Sequence, residues 1–469
     1  MSLCFEKGFI LIHQYKQCGM NIVLDENSGA VHVVDDLTYD LIGRIAAGKT
    51  TSKKILSAVK KDFPKASDKD IAEACGEIKE LSDNGDLFTE DPYEDSIERF
   101  AKHPTVVKAL CLHVAHDCNL NCVYCFAGQG EYHGPKGLMS YETGCRALDF
   151  VVSHCGGRTN IEVDFFGGEP LMNWDVVKRL VAYGRGLEKK TGKHFRFTIT
   201  TNGVLITDEV IDFCNREMDN VVLSIDGRPE VHDRMRPTKT GTGSIDIILP
   251  KLKKFASSRE ALGKEYYVRG TYTHYNLDFA KDVLWLADQG FHEISVEPVV
   301  ADPSNDYAIR KEEIPVLLEQ YDILAKEMQK RRGTKKDFNF YHFMIDLEGG
   351  PCVYKRLSGC GSGSEYLAVT PEGDLYPCHQ FVGEPEFLLG DVWRGVEKTD
   401  LVESFKKCNV YEKPECRTCF ARYYCSGGCA ANAYHANGDI HMPYEIGCEL
   451  QRKRVECAIA LKADAALSE

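Results

Sequence analysis

The sequence predicts an α/β protein built around a partial (β/α)6 barrel, and three observations lead there. Between Lys108 and about Arg332, short apolar runs alternate with amphipathic stretches of helical period. Residues suited to chemistry recur just after those runs. On both sides of this region the rhythm breaks into segments of different composition.

The predicted strands are ALCLHVA, IEVDFF, FRFTIT, VVLSID, YYVRGTY and EISVEPVV. Helices are expected between or after them near residues 140–155, 173–190, 207–217, 243–258, 278–289 and 311–331. Such alternation implies a parallel sheet with right-handed crossovers. Six units are too few for a closed eight-stranded barrel, so a partial barrel is expected over residues 98–340, with its chemistry at the C-terminal strand ends.

Residues 1–97 read differently. Three strand-like runs, FILIHQY, MNIVLDE and AVHVVD, precede three amphipathic helices, the first with Leu37, Leu41, Ile42 and Ile45 on one stripe. The acidic stretch TEDPYEDS at 89–96 reads as a linker. This unit resembles a winged-helix peptide-binding module. Residues 341–469 are rich in Cys, Gly and turns, with few long apolar periods. A segment that cannot build a large core usually needs metal staples.

Bulk properties narrow the function classes. At 469 residues the chain should form two to four folding units. A net charge of −14 argues against nucleic-acid or membrane-surface binding. The densest basic run, Lys330–Lys336, reads as a solvated helix end. With no signal peptide and no stretch of membrane-spanning length, the expected location is the cytoplasm. Twenty cysteines without a secretory signal point to metal ligation, and half of them fall between Cys352 and Cys457. Cys4, Cys18, Cys75, Cys111, Cys145, Cys155, Cys214 and Cys457 are expected to be packing residues.

Cys118, Cys122 and Cys125 form a CxxxCxxC loop after the first barrel strand. Three close thiolates suit three irons of a cubane and leave the fourth open. Zinc would want a further ligand, for which His116 is the nearest candidate. Gly167-Gly168-Glu169-Pro170 follows the second strand, Thr201-Asn202-Gly203 the third, and Ser224-Ile225-Asp226-Gly227 the fourth. The segment HDRMRP carries His232 and Arg236, which suit a cation that reaches a carboxylate. Near the end, Cys416, Cys419, Cys425 and Cys429 stand in CxxCx5CxxxC spacing. Cys360 and Cys378 lie upstream of them and Cys448 downstream. Zinc ribbons also use CxxC units, although seven spaced cysteines exceed one zinc site. No phosphate loop or GxGxxG competes: Gly186 to Lys193 has one residue too many and continues with His194.

The cysteine loop and the motifs after it resemble the radical S-adenosylmethionine (SAM) superfamily. The resemblance implies a 4Fe–4S cluster on Cys118, Cys122 and Cys125, with SAM chelating the open iron and being cleaved to a 5′-deoxyadenosyl radical. It implies adenine contact at Tyr124, SAM amino-group contact at Gly168 and Glu169, and ribose or carboxylate contacts at Asn202, Ser224, Asp226 and Arg236. The C-terminal cysteines resemble the SPASM extension of radical SAM peptide-modifying enzymes, which carries two auxiliary 4Fe–4S clusters. By that resemblance Cys416, Cys419, Cys425 and Cys448 hold one cluster, and Cys360, Cys378 and Cys429 the other. Its fourth ligand is Cys352, with Cys408 behind it, or else an iron is left open for a substrate thiolate.

Sulfatase-maturing relatives place an acidic residue after the equivalent of Cys378, where this chain has His379 and Gln380. The whole resembles most the maturases of six-cysteine peptides. That implies thioether formation in a ribosomal precursor peptide held by its leader, with a low-potential donor such as ferredoxin or flavodoxin. Carbon–carbon crosslinking or side-chain oxidation is the alternative chemistry, and an iron–sulfur carrier or peptide-binding scaffold the non-enzymatic one.

Overall fold

The computed structural model describes residues 11–47, 53–94, 97, 106–348 and 353–468. The chain opens with three antiparallel strands, β1 (Ile12–Gln17), β2 (Met20–Asp25) and β3 (Val31–Val34), in the order β1-β2-β3. Cys18 and Gly19 join the first two with φ of 51° and 78°, as a primed hairpin turn requires. Cys18 is a turn residue and, as expected, also packs partly buried against the core. Helices α1 (Asp36–Ala46), α2 (Lys53–Asp62) and α3 (Asp68–Asp83) follow. Asp35 caps α1 by accepting the Thr38 N–H, and Ser67 and Asp70 form a reciprocal capping box on α3. Val23, Leu41, Ile42, Val59 and Ile78 make the buried core of this unit.

The segment read as a linker is instead pinned. The Asp91 carboxylate is buried and accepts from Arg422 Nη2 (3.0 Å), Tyr411 Oη (2.9 Å) and Tyr423 Oη (2.9 Å). Arg422 also pairs with Glu26 at the end of the first hairpin. A buried guanidinium needs counter-charge, and the acidic stretch supplies part of it.

The barrel region follows the predicted alternation closely. Its strands are β4 (Ala109–His116), β5 (Asn160–Gly167), β6 (His194–Thr201), β7 (Asn220–Ser224), β8 (Tyr267–Tyr272) and β9 (Glu293–Pro298). Between or after them lie helices α4 (Tyr141–His154), α5 (Trp174–Thr191), α6 (Asp208–Glu217), α7 (Ile245–Ala261), α8 (Ala280–Asp288) and α9 (Ile314–Arg331). All six strands are parallel and neighbour one another in chain order. Every residue of β4 is buried, as expected where both faces are covered. Along β8 the buried residues Val268, Gly270 and Tyr272 alternate with Arg269 and Thr271 on the other face.

Two features of the C-terminal region depart from the sequence reading. Strand β10 (Tyr366–Val369) adds in parallel to the free edge of β4, so this region extends the barrel sheet and is not merely appended to it. The last element, α10 (Glu445–Ser468), is a 24-residue helix lying against α9 and β1. Its buried stripe, with Ile446, Leu450, Val455, Ile459 and Leu461, is broken by Arg454, which hides the period. Arg454 is accommodated because its Nε donates to Tyr321 Oη on α9 (2.8 Å), and Lys453 pairs with Asp322 (2.6 Å). The basic run Lys330–Lys336 is neutralised, with Arg331 and Lys336 on Asp288 and Arg332 on Asp464. Among the described residues no helix is long and apolar enough to cross a membrane.

Candidate active site

The three-cysteine loop leaves the C-terminal end of β4 and is fixed from two sides. On one side the Gly168 and Glu169 N–H groups donate to Ala115 O (2.8 Å) and Asp117 O (2.9 Å). A Cβ on Gly168 would lie 2.2 Å from Asp117 O, and one on Gly130 (φ 95°) 2.8 Å from Gly168 Cα. The two turns are therefore in backbone contact, which only glycine permits. On the other side Asn121 and Val123 N–H donate to Pro237 O (2.9 Å) and Met235 O (2.8 Å), tying the loop to the HDRMRP segment.

Burial, helped by the Glu169 charge, pushes the Cys118 thiol up to about 12, and burial against the opposing Arg236 charge takes Cys122 to about 11. Such thiols need a metal's charge to ionise at neutral pH. Among the described residues no three His, Cys, Asp or Glu side chains converge on one point as a single ion would need.

Glu169 is almost fully buried. Its Oε1 accepts from Leu171 N–H (3.1 Å) and Thr201 Oγ1 (2.8 Å), and its Oε2 from Asn202 N–H (2.8 Å). Burial raises the carboxyl to about 7 against these donors. A cation arriving at the free lone pairs would hold it ionised. Asn202 Nδ2 donates to Asn119 Oδ1 (2.7 Å), which orders the cysteine loop against the third strand end. Asn119 Nδ2 is buried without a partner, so the site holds an unused donor.

Asp226 is fully buried and lies behind the cavity wall. Its carboxylate accepts from Tyr124 Oη (2.6 Å), Arg236 Nε (3.0 Å) and Thr271 N–H (2.9 Å). It therefore positions Tyr124 and Arg236, which themselves line the cavity. His232 is not the expected cation. Its Nδ1 accepts the Asp226 N–H (3.2 Å) and its Nε2 faces Ser244 Oγ (3.0 Å), while burial drops its pKa to about 4. Ser244 Oγ in turn donates to Arg236 O (2.6 Å), so a neutral His232 fixes the backbone of the arginine.

The C-terminal thiols separate into two neighbourhoods. Burial pushes the Cys416, Cys425 and Cys448 thiols up, and Cys419 lies close enough to push all three further; Cys378 and Cys429 are likewise raised by burial and then by the nearby Cys360. Cys408 adjoins Cys360, its Sγ donating to Ile440 O (3.2 Å). Cys352 lies outside the described residues.

A cavity of about 340 Å³ opens at the barrel mouth and collects most of these groups. Cys118, Cys122, Tyr124, Cys125, Gly168, Glu169, Asn202, Ser224 and Arg236 line it, and so do His379, Gln380, Cys429 and Asn432 from the C-terminal region. Arg269, Thr271 and Glu297 also line it, and the sequence reading had not singled them out. Their signal was a polar residue at every second position within otherwise apolar strands.

Residues 112–255 match the Radical SAM superfamily. The chain is 24% identical over 375 residues to the radical SAM cyclopropyl synthase TigE of Paramaledivibacter caminithermalis, covering 74% of this chain and 72% of that protein. It is 24% identical over 358 residues to the serine-type anaerobic sulfatase-maturating enzyme of Bacteroides thetaiotaomicron, covering 69% and 82%. Among solved structures, Streptococcus suis SuiB bound to S-adenosylmethionine superposes with a TM-score of 0.53 at 14% identity, over 93% of this chain and 98% of that one. SuiB bound to its precursor peptide SuiA does so with a TM-score of 0.50 at 15% identity, over 95% and 99%. With the fold and the cysteine loop, these likenesses make residues 112–255 similar to the radical SAM superfamily, and the chain as a whole similar to a radical SAM cyclopropyl synthase and a sulfatase-maturating enzyme.

Proposed function

We propose that this enzyme forms thioether links between a cysteine sulfur and a carbon of a ribosomally made precursor peptide. One observation carries the reading. A single cavity is walled by the three loop thiols and also by Cys429 of the C-terminal set, so a peptide within it would meet both.

In this reading Cys118, Cys122 and Cys125 hold a 4Fe–4S cluster. When bound, that cluster and SAM supply reductive cleavage of the sulfonium to methionine and a 5′-deoxyadenosyl radical. Glu169, backed by Thr201 and Asn202, takes the SAM ammonium, and the Gly168 turn lets the backbone approach. Arg236 and Ser224 take the carboxylate, Asn202 the ribose, and the Tyr124 backbone the adenine, while Asp226 holds Tyr124 and Arg236 in place. Phe126, Val299 and Val300 add apolar surface to the same cavity.

Cys416, Cys419, Cys425 and Cys448 form one auxiliary site. Cys360, Cys378 and Cys429 form the other, with Cys352 or Cys408 as fourth ligand. Residues 1–97 recognise the leader by adding a strand to an edge of the β1-β2-β3 sheet, residues 98–340 generate the radical, and residues 341–469 carry the auxiliary sites. The likeness to SuiB, solved with its precursor peptide, supports a peptide substrate. A ferredoxin- or flavodoxin-type donor supplies electrons.

Reconstituted enzyme with SAM and a reductant should release 5′-deoxyadenosine. Coexpression with short cysteine-rich reading frames from its genomic neighbourhood should yield peptides lighter by two hydrogens per link, with the corresponding thiols gone. Absence of deoxyadenosine would sink the enzymatic reading and leave an iron–sulfur carrier or scaffold. Mass loss with all thiols intact would favour carbon–carbon or oxidative chemistry, which the similarity to TigE and to a sulfatase-maturating enzyme keeps as the second reading.

A further inference from the structure

We propose that Arg269 forms a carboxylate-binding subsite for the substrate, on the part of the cavity wall furnished by β8 and β9. The proposal rests on the peptide-modifying reading above and names what the peptide presents. Arg269 projects from β8 into the cavity, beside Glu297 on β9. Among the described residues its guanidinium makes one side-chain hydrogen bond, Nη2 to Glu297 Oε1 at 3.3 Å. A guanidinium carries a rigid fork of five N–H donors, so most of this fork faces open cavity.

Glu297 orients the fork without satisfying it, because it answers to more than one cation. Burial alone would lift its carboxyl, yet Arg269 first and Arg454 with it outweigh burial and bring it down to about 2, so it stays ionised. Arg454 reaches this region from α10, is buried, and has an Nη2 with no hydrogen-bond partner. His342 is neutral, since burial takes it down to about 3. Glu297 thus divides its charge between Arg269 and Arg454, which leaves the Arg269 fork short of a full counter-charge.

A planar, bidentate carboxylate fits both the fork and the charge. The carboxamides of Gln380 and Asn432, lining the same cavity, suit the peptide backbone around it. The carboxylate can come from an acidic side chain or from the peptide's C-terminus.

The test uses reconstituted, SAM-loaded enzyme and three probes: acetyl-Gly-Asp-Gly-amide, acetyl-Gly-Asn-Gly-amide and acetyl-Gly-Asn-Gly with a free carboxyl terminus. Calorimetry should show at least one carboxylate probe binding about ten-fold tighter than the neutral amide, and which one identifies the source. Arg269→Gln should abolish the preference, and Arg269→Lys, which keeps the charge and loses the fork, should retain part of it. Equal affinity for all three probes overturns the proposal. So does a preference that survives Arg269→Gln in protein with unaltered circular dichroism. The readout is binding without turnover, so failure here is distinct from a failure to release deoxyadenosine.

Discussion

At Asp226 three donors from three segments meet one buried carboxylate, and this shows how the site is stiffened. Asp226→Asn leaves the buried Arg236 without its counter-charge, which costs ~3–5 kcal/mol when a buried pair is broken from one side. Tyr124→Phe removes one hydrogen bond and should cost only ~1 kcal/mol. Urea unfolding of the two variants should reproduce that order. Gly168→Ala drives a methyl to 2.2 Å from a backbone carbonyl. Overpacking of this kind costs ~1–3 kcal/mol, and here the strain falls on the cysteine loop. Equilibrium dialysis should show SAM binding lost, together with a lower melting temperature.

Asp164, on β5, has its carboxyl raised to about 6, chiefly by burial and then by Glu162, from an ordinary value of 3.8. The folded state then holds a proton that the unfolded chain has released, so stability falls as pH rises from about 3.8 to about 6 and is level above that. Asp164→Asn should therefore be more stable than the parent at pH 7.5, by ~1–3 kcal/mol. At pH 3.5 the two should be alike, as denaturant titrations at both pH values would show.

Among the elements, α10 departs furthest from its sequence pattern and has a clear mechanical role. It packs along α9 and reaches β1, so it joins the barrel to the N-terminal sheet. Ile459→Ala empties a fully buried position in that contact and should cost ~2–5 kcal/mol, read as a lower urea midpoint at unchanged slope. The six barrel strands were legible because a strand covered on both faces reads as an apolar run and its crossover helix keeps a 3.6-residue stripe. Helix α10 was not, because Arg454 interrupts its stripe, and its burial is made tolerable by the Tyr321 hydroxyl and the nearby Glu297 charge. Strand β10 was hidden for another reason. Four residues, YLAV, carry no sign of the edge they will join.

Across the whole molecule, the buried cluster of Glu26, Asp91 and Arg422 fastens the N-terminal sheet to the segment bearing Cys416, Cys419 and Cys425. Arg422→Met leaves two buried carboxylates facing each other. Hydrogen exchange should show protection lost together in residues 20–34 and 414–425, with the barrel strands unchanged; loss confined to one of the two segments would show that they are not coupled through this cluster.

The sequence by itself determined the barrel, the order of its strands and the residue types at each strand end. Periodicity and cysteine spacing are local properties, and they sufficed for that. Only the tertiary structure decided which of those residues face one cavity. It withdrew His232 from cation duty by burying it against Ser244, and set Asp226 behind the wall as a support. It brought Cys429, His379 and Gln380 from the far end of the chain to the barrel mouth by adding β10 to β4. Arg269 and Glu297 reached the same cavity through strand register alone. The physical reason is that a side chain's charge state and partners depend on its burial and on neighbours remote in sequence, which spacing along the chain does not encode.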